Sequence, residues 1–210
     1  MFKKALLASA TFACALGFSA ATFAAPITVD PSDFVATNGT VVPDTFGDTA
    51  DIDFTWSVLG TTMRKWNGGY SGQDAFYCGT NPGAVCFFDL APLGGASLTL
   101  NSFDLGGWLN EDRVVAWSVA DLFNPGFLLV SGIANVPGTS PLTVPVGLAS
   151  SDGFRVSFGP DGFNGGLTSL TYTISESQPG PTPVPAPGTL GLLALGLLGL
   201  GAALRRRATA

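Results

Sequence analysis

Asp51-Ile52-Asp53-Phe54-Thr55-Trp56-Ser57-Val58 alternates polar and apolar residues without a break. A period of two belongs to an extended strand with one buried face, and here that face carries Ile52, Phe54, Trp56 and Val58. The same alternation returns in Leu98 and Leu100, Phe103 and Leu105, Val115 to Val119, Leu142 to Val146, Phe154 to Phe158, and Leu170 to Ile174. A phase slip at Asn101-Ser102 predicts a β-bulge, because one extra residue restores the pattern on the far side. Turn formers expected to separate the runs are Gly68-Gly69, Gly94-Gly95, Gly106-Gly107, Asn124-Pro125-Gly126, Pro137-Gly138, Pro160-Asp161-Gly162 and Asn164-Gly165-Gly166. Short strands between such turns predict an all-β, antiparallel β-sandwich or jelly-roll body over residues 25–176. Trp56 and Trp117, inside alternating runs, are expected in its core.

Both ends of the chain read differently. Lys3-Lys4, an apolar stretch from Ala5 to Phe18 and small residues up to Ala24 follow the plan of a secretory signal over residues 1–24, with cleavage after Ala24. From Ser177 the chain turns Pro-rich, giving a linker over 177–187. An apolar segment over 188–204 follows, expected as a single transmembrane helix, and then a basic tail, 205–210, with Arg205, Arg206 and Arg207. The apolar run is short against the roughly 20 residues that a bilayer asks of a helix, a deficit that Arg snorkelling and local thinning offset. The arginines hold that end in the cytoplasm and act as the stop signal, which leaves the body outside.

Val184-Pro185-Ala186-Pro187-Gly188-Thr189-Leu190, the Leu/Gly-rich segment to Leu204 and the Arg triplet resemble the PEP-CTERM sorting signal of Gram-negative bacteria that make exopolysaccharide. Ala186 stands where the family name places Glu. The resemblance implies an exported substrate of an exosortase-like processing enzyme, with Val184, Pro185 and Pro187 as the recognised motif. It also implies passage through the secretion translocon, transient anchoring in the inner membrane, and release to the cell surface or extracellular matrix. Prolines just outside the membrane suit such a processing enzyme, since they hold the substrate extended and non-helical. An ordinary single-span anchor is the alternative.

The body is acidic: all fifteen Asp and Glu lie in it, against Arg64, Lys65, Arg113 and Arg155. Such a surface repels phosphate backbones, so nucleic acid is not an expected partner. Cys78 and Cys86, the two cysteines left after removal of the signal that holds Cys14, are expected to form a disulfide in an oxidising compartment. Closing so small a loop stabilises by about 2–3 kcal/mol. The chain has no histidine, which removes histidine-dependent triads.

No catalytic residues and no enzyme activity are expected. Glu111 and Asp112 are neighbours in a turn, where they read as a solvated hairpin tip rather than an acid/base pair facing across a cleft. Lys65 shows no sign of the apolar pocket that a lysine base needs. No cofactor is expected, although Asp48, Asp51 and Asp53, with Asp152-Gly153 and Asp161-Gly162 in turns, would admit a structural calcium ion. Ordinary turn chemistry of Asp accounts for the same residues. The alternative function is a lectin-like module for exopolysaccharide. Its glycan contacts would be Trp66, Tyr70 and Trp108, in or beside Gly-rich segments expected to be loops.

Overall fold

A computed structural model describes residues 24–79 and 83–175. The strands are β1 (Ile27–Val29), β2 (Ile52–Thr55), β3 (Met63–Tyr70), β4 (Gln73–Cys78), β5 (Cys86–Pro92) and β6 (Ser97–Gly107). They continue with β7 (Arg113–Asp121), β8 (Leu128–Val136), β9 (Leu142–Ser150), β10 (Phe154–Gly159) and β11 (Gly165–Ser175), and one 3-10 turn lies at Pro31–Asp33. One sheet runs β3-β4-β11-β6-β9, with β1 also on β11; the other runs β2-β5-β10-β7-β8. Every pairing is antiparallel.

The order has a simple origin. β7 pairs with β8, β6 with β9, β5 with β10 and β4 with β11, as in one long hairpin whose tip is the β7–β8 turn. Rolling that hairpin up brings β6 against β11 and β7 against β10 and divides its strands between two facing sheets. This is a jelly roll. β2 and β3 then extend the two sheets beyond β5 and β4.

The alternating residues meet between the sheets. Ile52, Phe54, Trp56, Leu98, Leu100, Phe103, Leu105, Phe154, Val156 and Phe158 are buried there. The expected bulge is present: the β6–β9 register shifts between Leu100 and Ser102, which returns Phe103 and Leu105 to the core face. Trp117 differs from expectation in being half-buried. It packs edge-on against Phe103 with centroids 5.7 Å apart and lies over Gly132, at the flank of the sandwich rather than its centre. Cys78 and Cys86 form the expected disulfide. Because Cys78 ends β4 and Cys86 begins β5, the bond ties one sheet to the other at a crossing point.

The signal over 1–24, apart from exposed Ala24, the linker 177–187, the apolar segment 188–204 and the tail 205–210 lie outside the described residues. Among the described residues, no helix is long and apolar enough to cross a membrane.

Candidate functional site

Two apolar clusters form, and the second lies on the outer face of the first sheet. Along β4, Phe76 points into the core while its neighbours Ala75 and Tyr77 point out, as the pleat requires. Tyr70 joins Ala75 and Tyr77, and Trp66, Trp108 and Phe163 pack around them. The three aromatics singled out in the sequence, Trp66, Tyr70 and Trp108, are therefore brought together. Trp66 and Trp108 are 4.4 Å apart at an interplanar angle of 82°, and Tyr70 is 5.1 Å from Trp108.

Their setting differs from the expected loops. Trp66 and Tyr70 lie on β3, and the pair Gly68-Gly69 sits in an irregular stretch of that strand rather than in a turn. The β3–β4 turn is Ser71-Gly72, both at positive φ (51° and 81°), flanked by the pair Tyr70 and Gln73. That dipeptide is itself a turn signal. Gly69 has a packing role: a Cβ there would come within 2.3 Å of the Trp108 ring and 2.7 Å of the Trp66 indole nitrogen. Gly166 likewise leaves room for the Tyr70 ring.

Tyr70 is a poor surface contact, being only 1 % exposed. Its hydroxyl donates to the Phe163 carbonyl at 2.6 Å. Burial, reinforced by Tyr77 and Asp161, pushes its phenol well above the usual range. Tyr70 thus forms the floor, while half-buried Trp66, Trp108 and Phe163 form the part that solvent reaches. Tyr77 and Phe163 complete the cluster and were not singled out in the sequence. Tyr77 lies in the unbroken apolar run Ala75-Phe76-Tyr77-Cys78, so no alternation marks it, and Phe163 follows the turn formers Asp161-Gly162.

The polar groups near this face are largely engaged. Lys65 is buried, contrary to the expectation from sequence. Its Nζ forms an ion pair with Asp74 at 2.8 Å and donates to the carbonyls of Phe34 (3.2 Å) and Pro31. Three acceptors use all three ammonium hydrogens, so the lysine anchors the Pro31–Asp33 turn under the sheet rather than serving as a base. Asn164 donates to Asp161 Oδ2 at 2.7 Å, whereas Asp161 Oδ1 has no partner among the described atoms.

Several of the acidic candidates hold ion pairs or backbone N–H groups. Glu111 is exposed and pairs with Arg113 at 2.9 Å, and Asp112 accepts the Gly138 N–H at 2.8 Å; the segment is not the expected hairpin tip but the connection from β6 in one sheet to β7 in the other, two strands that do not pair. Asp48 accepts the Phe54 N–H at 2.8 Å, and Asp51 and Asp53 are exposed. Among the described residues no three acidic or cysteine side chains converge as a metal site. On the outside of the second sheet, Asp89 receives a two-pronged pair from Arg155 at 2.8 and 2.7 Å, and this bonding raises the guanidinium above its ordinary value.

The functional information outside the body is more direct. Residues 183–207 match the PEP-CTERM protein-sorting motif. The chain carries a PEP-CTERM sorting signal. Val184, Pro185, Pro187 and Arg205 to Arg207 all fall inside the matched interval. The PEP-CTERM motif marks an exported protein processed by an exosortase-like enzyme. Comparison with curated proteins gives no match. Among solved structures, the chain is similar to the Podospora anserina GH26-CBM35 β-(1,4)-mannanase at 20 % identity and a TM-score of 0.37, over 74 % of this chain and 29 % of that one. It is also similar to the Salmonella enterica trimeric lipoprotein SadB at 15 % identity and a TM-score of 0.17, over 71 % of this chain and 58 % of that one. The chain spans less than two thirds of either.

Proposed function

We propose that this protein is a non-enzymatic, exported jelly-roll module placed at the cell surface or in the extracellular matrix by PEP-CTERM sorting. The single observation behind this reading is the sorting motif at residues 183–207, which begins a few residues after β11 ends at Ser175. A secretory signal takes the chain through the translocon. The apolar segment 188–204 holds it in the inner membrane, oriented by Arg205 to Arg207. Val184, Pro185 and Pro187 present an extended stretch to the exosortase-like enzyme. The test is the intact mass of the mature protein from cells with and without that enzyme. Loss of the tail only where the enzyme is present supports the reading, and a full tail in both strains refutes it.

A second reading concerns what the body does once delivered, and the convergence of Trp66 and Trp108 over Tyr70 favours it. The exposed flank of this cluster is apolar and aromatic, the surface that the C–H face of a sugar ring stacks upon. The indoles are nearly perpendicular, so they frame a notch for one ring rather than a flat track for a long chain. Binding to purified exopolysaccharide should fall with Trp66→Ala while the melting temperature stays close to wild type. Unchanged binding removes the glycan role from this face.

A further inference from the structure

The two sheets have four outer edges, and three of them are blocked by different means. Along β3, residues 39–42 add backbone hydrogen bonds: Gly39 N–H to the Lys65 carbonyl at 2.8 Å, Lys65 N–H to the Thr40 carbonyl at 2.9 Å, and Val42 N–H to the Met63 carbonyl at 2.9 Å. Along β2, carboxylates take the outward N–H groups, Asp48 from Phe54 at 2.8 Å and Asp44 from Trp56 at 2.7 Å. β9 carries Pro145, which has no N–H to offer, and Gly147 at a φ of 67°. These are the devices by which sheet proteins prevent edge-to-edge pairing.

Among the described residues β8 has no added strand, no capping carboxylate and no proline, and its one irregularity is a register shift against β7 that skips Leu129. It is nine residues long, pairs there only with β7, and contains no charge. Leu129 and Ile133 are exposed on it, at 39 % and 70 %. Phe123 and Phe127, 77 % and 60 % exposed, extend the apolar surface from the preceding turn. Charge points to the occupant. Leu122 to Val136 holds no charged residue, in a body where fifteen acidic side chains outnumber four basic ones. Two copies of so acidic a module repel each other over most of their surfaces, and β8 is a long edge at which they can abut without opposing carboxylates.

We propose that β8 is a docking edge for a second copy of this chain, joined antiparallel about a two-fold axis into one continuous sheet. Such an axis demands a self-complementary strand. Centring it on Ser131 sets the exposed Leu129 across from Ile133 of the second copy, twice, and leaves Ser131 facing itself. Apolar cross-strand pairs of this kind stabilise a sheet. The inference does not depend on the sorting reading, and its failure would leave that reading untouched.

The test places a cysteine at the axis. In the full-length chain carrying Cys14→Ser, in mild detergent, Ser131→Cys is oxidised and run beside a control, Thr143→Cys, on exposed β9. The expected result is a covalent dimer for Ser131→Cys and little for the control. Adding Ile133→Lys, which sets a charge on an already exposed site, should cut dimer yield about tenfold or more without changing the circular dichroism, since unlike the wild type it buries charge against the joint. Equal cross-linking at both positions, none at Ser131→Cys, or a yield indifferent to Ile133→Lys each overturns the proposal.

Discussion

Phe76 and Tyr77 are neighbours on β4, yet they belong to two aromatic clusters with opposite fates. On the inner side Trp56 lies between Phe54, 5.4 Å away, and Phe88, 5.2 Å away, with Phe76 edge-on at 5.1 Å. Its indole N–H reaches the Phe46 carbonyl at 2.7 Å, so even its polar atom is satisfied. On the outer side Tyr70 and Tyr77 are buried beneath Trp66, Trp108 and Phe163, and among the described residues no further layer buries those three, which stay half-buried. The same residue types serve cohesion where a second sheet faces them and leave open surface where none does.

The largest expected effect is that of Trp56→Ala, which empties the centre of the inner cluster. It should cost about 3–5 kcal/mol in urea-induced unfolding. A loss as large from Trp66→Ala would erase the distinction between the clusters. Replacing both Cys78 and Cys86 by alanine comes next, at about 2–3 kcal/mol for the closed loop. A melting curve under reducing and oxidising conditions should show the same difference for the wild type.

Alkaline titration reads both clusters at once. Burial raises the phenols of Tyr70 and Tyr77 on the outer side and of Tyr172 in the core. These are the three tyrosines of the chain. Between the ordinary phenol value of about 10 and the raised folded value, the native state keeps protons that the unfolded chain releases. The stability they contribute is complete below about pH 10 and declines as pH climbs beyond it. Tyrosinate absorbance should therefore lag behind that of a free phenol, with Tyr70 last and accompanied by loss of near-ultraviolet circular dichroism. The smallest effect belongs to Trp66→Ala, about 1 kcal/mol for a half-covered ring. Were all three phenols to titrate near pH 10 in the folded protein, the outer cluster would be far more open than described.

The core was legible because alternation is a local signal. Ile52, Phe54, Trp56 and the apolar residues of β6, β10 and β11 announce their inward face by spacing alone, and the phase slip at Asn101-Ser102 announces the bulge. The winding of the strands was not, because which strand pairs with which depends on contacts distant in sequence. The outer cluster was half legible: Trp66, Tyr70 and Trp108 were recognisable as a group. That β3 continues through Gly68-Gly69 was hidden by two residues that ordinarily break strands. The burial of Lys65 was equally hidden, since it depends on carbonyls of Pro31 and Phe34 thirty residues upstream.

The place of β11 has a consequence for delivery. This final strand pairs with β1, β4 and β6, near the middle of its sheet, and the polypeptide leaves for the sorting tail directly from it. A chain threaded through a translocon from its amino end presents ten strands before the clasp for β1, β4 and β6 arrives. The first sheet cannot shut until residue 175 has crossed, although β2, β5, β10, β7 and β8 of the second need no such clasp. Once shut, that clasp lies along β6 from Gly165 to Ser175, so the tail hangs from a whole ladder rather than from a single rung.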